Sequence, residues 1–378
     1  MGVSELKKFV LNYASTTLYF GPGAISNLEG ELEGYESILI ATGKRSAKLS
    51  GALDDLLSVL KKLGIGYEVF SDVTPNPWAS QADRMAQHAW SMGADAILAV
   101  GGGSVIDTAK VAAMIVVGGG KAKEYVYGER KGRGCIPVYA VNITHGTGTE
   151  VDRYSVLTVE ETGEKRGIIS IYPVVSVDDP KYTLTLPKDQ SIYVSLDAFY
   201  HAYEAATQPW ASPFVELLAS ETIRLVRDWL PRAVEKPGDL EPRYWLLYAS
   251  MLAGIAIDLA GTHIVHLIEH ALSGMKPELA HGCGLAIAGP RSAYYIHRHA
   301  PEVSAKLLGI LDQSIRPTVG DAEKAENAVK RFQESIGFEQ SLQQYGFTEE
   351  DLTSIAERGK WPLGLSSSEV LDILKRAF

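Results

Sequence analysis

The sequence predicts an α/β half built on a parallel sheet, followed by an all-helical half. Apolar, β-branched runs alternate with helix-period segments as far as Val141, which is the pattern of βαβ units. From Ser191 onward long helical patterns dominate, and Pro180 and Pro187 punctuate the change around Lys181 to Pro187. The chain has 378 residues, more than one hydrophobic core usually organises. Two domains are therefore expected, 1–182 and 183–378.

The first elements read in order. Ser37 to Ala41 (SILIA) is a strand, Ala52 to Leu63 a helix, and Tyr67 to Phe70 a second strand. A helix over Ser80 to Met92 leads into a strand over Ala96 to Val100, then Gly101-Gly102-Gly103-Ser104, then a helix over Val105 to Val117. Pro137 to Val141 closes the parallel series. Three short strands follow, Ser155 to Val159, Gly167 to Ile171 and Val174 to Val177. Pro231, Pro237, Pro242, Pro277 and Pro317 are expected to break the helical half. The basic segment Lys121 to Gly134 reads as a solvated surface loop.

Composition bounds the function. Hydrophobic residues make up 46% and charged residues 22%, near the globular average, so disordered and fibrous classes are excluded. A formal charge of −10 disfavours nucleic acid and anionic membrane as partners. The two cysteines, Cys135 and Cys283, form no metal-type pair and are expected as buried thiols in a reducing compartment. No charged-then-apolar leader opens the chain, and Met1-Gly2-Val3-Ser4-Glu5-Leu6 lacks the Ser or Thr of a myristoylation signal. The run Trp245 to Ile257 is too short to span a bilayer and reads as a buried helix. A soluble cytoplasmic protein is expected. Scarce asparagine, at Asn12, Asn27, Asn76, Asn142 and Asn327, suits a thermophile.

Three stretches carry chemistry. Gly101-Gly102-Gly103-Ser104 sits between a strand and a helix, where glycines admit a phosphate to the free amides of the helix start. Thr144-His145-Gly146-Thr147-Gly148-Thr149-Glu150 follows the last parallel strand and offers hydroxyls and amides for phosphate or ribose, though a plain polar turn would read alike. Gly261 to Gly282 holds four of the nine histidines, His263, His266, His270 and His281. Asp197 and His201 lie one helical turn apart, so two helices can aim a carboxylate and imidazoles at one point. That donor set suits divalent iron or zinc, with His263, His266 and His270 alternatives at this level.

Taken together, Gly101-Gly102-Gly103-Ser104-Val-Ile-Asp107-Thr-Ala-Lys110, Thr147-Gly148-Thr149-Glu150, Asp197-x-x-x-His201, His266-x-x-x-His270 and Pro277-x-x-x-His281-Gly282 resemble the iron-containing (group III) alcohol dehydrogenase family. The resemblance runs in register along nearly the whole chain from Phe20-Gly21-Pro22-Gly23. It implies a dehydroquinate-synthase-like superfold, with a dinucleotide-binding α/β domain and an all-helical metal-binding domain. By the same resemblance Asp197, His201, His266 and His281 are metal ligands for Fe2+ or alternatively Zn2+, and His270 relays protons. Gly102, Gly103, Ser104 and Asp107 belong to the pyrophosphate motif, Thr144 and Thr147 bind cofactor, and Lys165 lies near the nicotinamide ribose. His263 receives no role.

Two departures are specific to this chain. Gly43-Lys44-Arg45 stands where many members carry an acidic residue after the first strand, which favours NADP over NAD because a 2′-phosphate needs cationic donors. Ile143-Thr144 replaces a Thr-Thr pair and removes one hydroxyl. The implied activity is metal-dependent oxidation of a small primary alcohol or diol, or reduction of an aldehyde. Rival readings are a glycerol-dehydrogenase-like polyol dehydrogenase and a metallohydrolase using no nicotinamide. A homodimer through the helical half is a further expectation.

Overall fold

The computed structural model describes residues 6–358 and 360–378. The lipidation reading at Met1 to Glu5 falls outside them. Two compact units are present, one comprising the chain up to Leu186 with Pro237–Leu247, the other Pro187–Lys236 with Tyr248–Phe378.

Among its described residues the first unit contains nine strands: β1 (Phe9–Tyr13), β2 (Thr16–Phe20), β3 (Ser37–Gly43), β4 (Gly66–Val73), β5 (Ala96–Gly101), β6 (Val138–Asn142), β7 (Tyr154–Val159), β8 (Glu164–Ile169) and β9 (Val175–Asp178). Its helices are α1 (Leu28–Glu31), α2 (Ser46–Leu49), α3 (Ala52–Leu63), α4 (Ala79–Ser91), α5 (Gly103–Gly118) and α6 (Ala122–Val126). Seven strands form one sheet in the order β1-β2-β9-β6-β5-β3-β4, parallel throughout except for the β1–β2 hairpin.

The apolar runs of the central strands follow from this layering. In β3, Leu39 and Ala41 enter one core with α4 and α5, while Ile38 and Ile40 enter the opposite core with α1 and α3. Val138 and Ala140 of β6 divide from Tyr139 and Val141 in the same way. A parallel sheet covered on both faces needs apolar side chains at successive positions, which period-2 alternation would not supply. Helix α3 shows how local signals set bounds. Asp54 and Asp55 oppose the dipole at its start, Lys61 and Lys62 at its end, and Gly64 closes it at φ 71°.

Several expectations are corrected. The β1–β2 hairpin was not foreseen, and β9 joins the main sheet between β2 and β6, leaving only β7 and β8 as a separate pair. Lys121 to Gly134 is not loop throughout: α6 occupies its start, and Arg130 folds back on Glu124 and the Gly118 carbonyl. Cys135 is exposed, because it lies in the irregular segment before β6, whereas Cys283 is buried.

The second unit is helical, with α7 (Lys188–Ala206), α8 (Pro213–Glu235), part of α9 (Leu240–Ala260), α10 (Ile264–Met275), α11 (His281–His299), α12 (Pro301–Leu308), α13 (Ala322–Ser335), α14 (Glu349–Ala356) and α15 (Ser367–Ala377). Helix α9 clusters with the first unit up to Leu247 and with the second from Tyr248. Pro231 and Pro242 do not break helices, as Pro231 lies inside α8 and Pro242 in the first turn of α9. A first-turn proline forfeits no intrahelical bond. The interior one costs about 3 kcal/mol and is carried by the buried flanks Leu230 and Ala233. Among the described residues no single helix is long and apolar enough to cross a membrane.

Helix α11 lies against α7 with no room for side chains at two glycines. A Cβ on Gly282 would fall 2.1 Å from the Tyr193 carbonyl oxygen, and one on Gly289 would fall 1.8 Å from the Tyr200 hydroxyl. This close approach brings the start of α11, and His281 with it, to the face of α7 that carries Asp197 and His201.

Candidate functional site

In the helical unit, Asp197, His201 and Glu204 form one stripe of α7, at i, i+4 and i+7. Three imidazoles face one oxygen. His201 Nε2 and His266 Nε2 each lie 3.4 Å from Asp197 Oδ1, and His281 Nε2 lies 3.7 Å from it. Donors ~2.1 Å from a shared tetrahedral centre stand roughly 3.4 Å apart, so these spacings are those of ligands around a first-row divalent ion. The His201 and His266 rings stack with centroids 4.4 Å apart. Asp197, His201 and His266 are buried, and His281 is partly open.

Behind the donors stand two carboxylates that the sequence reading missed. His266 Nδ1 pairs with Glu204 and His281 Nδ1 pairs with Glu269, both wholly buried. Such partners fix the ring orientation and leave Nε2 as the donor. Glu204 also caps α10, accepting from the amides of Val265 at 2.6 Å and of His263 and His266 at 3.3 Å. The signal was present in the sequence, since Glu204 continues the Asp197–His201 stripe and Glu269 lies three residues past His266.

The electrostatics follow. Burial works to raise the Asp197 carboxyl, but His201, His281 and His266 hold it well below the usual carboxylate range. Glu204 is likewise held low by His263 and His266 against its burial. Burial pushes His201 down to about 4. Burial also works against His266, yet Glu204 and Asp197 bring it up to about 9. The donor set fits a divalent ion: one carboxylate, three imidazoles of which two are oriented by glutamates, and no thiolate.

His263 and His270 stand apart from the Asp197 oxygen. His263 precedes α10, accepts from the Ile264 amide through Nδ1 at 2.8 Å, and meets Thr207 Oγ1 through Nε2 at 2.9 Å. His270 is partly exposed, with its ring 5.7 Å from that of His281.

In the α/β unit, the three candidate cofactor motifs leave the carboxyl ends of the adjacent strands β3, β5 and β6. Ligands bind there in open α/β sheets. Helix α5 begins at Gly103, so the first amides of its N-terminal turn lack intrahelical acceptors. The threonine loop lies directly on the glycines. A Cβ on Gly102 would stand 2.8 Å from Thr144 Cγ2, and one on Gly103 would stand 2.5 Å from Thr147 Cγ2. Only glycine fits, which suits a cradle for a pyrophosphate. Thr144 is fixed from below by Asn142 Oδ1, which accepts from its amide at 3.1 Å and its hydroxyl at 3.3 Å. Ile143 is buried in the core on the α1–α3 side, where a second hydroxyl would lack water.

Asp107, grouped with the cofactor residues by sequence, lies in a brace beneath the loop. It accepts from Thr149 Oγ1 at 2.6 Å and from the Val156 amide at 2.9 Å. Lys110, fully buried, donates to Thr149 Oγ1, to the carbonyls of Asp152 and Tyr154, and to Asp152 Oδ1. Lys165 on β8 donates to Asn76 Oδ1 at 2.9 Å and is largely buried. Gly43 ends β3, and Lys44 and Arg45 are exposed with no ion pair among the described residues.

Comparisons with known proteins converge. A model described as iron-containing alcohol dehydrogenase matches residues 15–180, and one described as Fe-containing alcohol dehydrogenase family, C-terminal, matches residues 191–377. The chain is 39% identical over 366 residues to the long-chain primary alcohol dehydrogenase AdhA of Thermoanaerobacter ethanolicus, covering 95% of this chain and 92% of that one. It is 34% identical over 348 residues to the 1,3-propanediol dehydrogenase of Klebsiella pneumoniae, covering 90% and 89%. Among solved structures it is similar to the NADH-dependent butanol dehydrogenase A of Thermotoga maritima, with a TM-score of 0.87, 30% identity and 98% of each chain covered. With both halves of the chain matched in order, the protein belongs to the iron-containing alcohol dehydrogenase family.

Proposed function

We propose that the protein interconverts a small primary alcohol or diol and its aldehyde, exchanging hydride with a nicotinamide cofactor and using NADP in preference to NAD. The observation that carries this reading is the convergence of three imidazole Nε2 atoms on Asp197 Oδ1, with carboxylates behind two of the rings. Asp197, His201, His266 and His281 would hold a divalent ion, Fe2+ or alternatively Zn2+, which when bound supplies the Lewis acidity that eases loss of the alcohol proton. Glu204 and Glu269 keep the Nε2 lone pairs aimed at that position. His270, near the partly open His281, carries the released proton towards solvent, a task suited to an imidazole.

In the α/β unit, Gly102, Gly103 and Ser104 would receive the pyrophosphate on amides and helix dipole, Thr144 and Thr147 would orient it, and Lys165 would serve the nicotinamide ribose. Lys44 and Arg45 would meet a 2′-phosphate, for which the chain offers two exposed cations and no carboxylate directly after β3. The butanol dehydrogenase relatives carry NADH in their names, so this preference rests on the residues of this chain alone.

The test is anaerobic purification with metal quantification, followed by NADPH and NADH oxidation against a panel of aldehydes. One divalent ion per chain and preferential NADPH oxidation are expected. Equal use of both cofactors, or preference for NADH, overturns the reading of Gly43 to Arg45, and turnover without nicotinamide overturns the assignment as a whole.

A further inference from the structure

Arg243 is the largest fully buried side chain among the described residues, and it lies in the stretch of α9 that belongs to the α/β unit. Its Nη1 stands 3.1 Å from Nε2 of His145, which is itself fully buried, and its Nε donates to the Pro237 carbonyl at 3.3 Å. A guanidinium can only donate. Nε2 of His145 is therefore the acceptor, and the ring is neutral with its proton on Nδ1. Burial first and the Arg243 charge second push the imidazole down to about 3, so this form persists at every physiological pH.

His145 lies between Thr144 and Thr147, whose side chains rest on Gly102 and Gly103. Asn142 holds one end of that turn, through the Thr144 amide, and Gly148 at φ 66° turns the other. The middle is held by the His145 ring. We propose that Arg243, acting through His145, is a positioning residue for the cofactor, fixing the Thr144–Thr147 turn over the glycine cradle. This rests on reading residues 102–104 with Thr144 and Thr147 as the dinucleotide site.

Burying a guanidinium carries a desolvation cost that an apolar pair of the same shape would avoid. Stability alone therefore does not account for the pair, whereas a fixed ring orientation under the cofactor loop does. The metal donors lie on α7, α10 and α11, so loosening this turn should change cofactor affinity and leave the metal in place.

The experiment uses the metal-loaded full chain. Arg243→Met and His145→Leu are each expected to raise the NADPH KM and the NADPH dissociation constant about tenfold, the loss of one charge-assisted hydrogen bond. The kcat at saturating cofactor should stay within about threefold and metal content at one per chain. The double variant joins two apolar groups and should recover the melting temperature lost by the single variants while keeping the raised KM, no higher than either alone. His145→Gln, which retains an acceptor for Arg243, should restore most of the affinity. Unchanged NADPH binding in both single variants overturns the positioning role alone, as does a KM that recovers together with stability in the double variant. A wild-type enzyme that binds neither NADPH nor NADH overturns the function reading and this inference with it.

Discussion

The candidate sites of the two units are built on opposite principles. The candidate cradle in the α/β unit is made by absence: glycines where any Cβ would strike Thr144 or Thr147, with backbone amides as the proposed binding groups. The donor cluster in the helical unit is made by charge, with Asp197, Glu204 and Glu269 holding three imidazoles in place inside a buried environment. Shape-built sites fail when atoms are added, and charge-built sites fail when a partner is removed. The contrast sets which substitutions should harm which half.

The largest effect is expected from His281→Ala. Removing one donor of four should empty the metal position and abolish turnover, measured as metal content and aldehyde reduction together. An active, metal-free variant would break the charge-built description. Next come Glu204→Gln and Glu269→Gln, expected to weaken metal affinity by roughly 10- to 100-fold in a chelator competition while cofactor binding holds. Glu204→Gln should also destabilise the start of α10, which Glu269→Gln should not.

The metal-free protein should show a pH dependence of metal uptake set by His266, whose imidazole Glu204 and Asp197 bring up to about 9 against its burial. The ion requires the deprotonated ring, so affinity should rise by about tenfold per unit between pH 7 and 9 and level off above. A flat profile across that range would remove His266 from the donor set. Gly103→Ala is the complementary test, since its Cβ must displace Thr147. It should raise the NADPH KM by about tenfold through overpacking and leave metal content unchanged. The smallest effect belongs to Lys44→Ala and Arg45→Ala, exposed groups whose loss should narrow the NADPH-over-NADH ratio by about threefold each in kcat/KM.

The sequence was most legible where one element reports on itself. Helix α3 was bounded by its own charges and glycine, and the strands β3, β5 and β6 by runs apolar enough for a sheet covered on both faces. It was least legible where an element depends on a distant neighbour. The place of β9 is set by pairing with β2 and β6, from residues far away in the chain, and no local pattern encodes it. Pro231 misled because a proline signals a break in an isolated helix, while its tolerance depends on how well the flanks are buried. Among the candidate site residues, the separation of His266 from His263 came from motif register. Their rings differ in what lies opposite them, an Asp197 oxygen for one and Thr207 for the other, which sequence spacing does not express. Glu204 and Glu269 escaped notice because a glutamate on a helix ordinarily reads as solvated surface, and both are fully buried.

The brace under the Thr144–Thr149 loop bears on redesign. Asp107, Lys110, Thr149, Asp152 and the backbone at Tyr154 and Val156 form one connected polar circuit joining α5 to β7. A threonine loop taken from a relative without its own α5 would bring strange partners to Lys110 and strand a cation in a dry interior, costing several kcal/mol. The transplantable unit is therefore the whole span from Gly101 to Val156. On the proposed reading of Gly43 to Arg45, exchanging one nicotinamide cofactor for the other is work for Gly43 to Ser46, which lies outside that circuit.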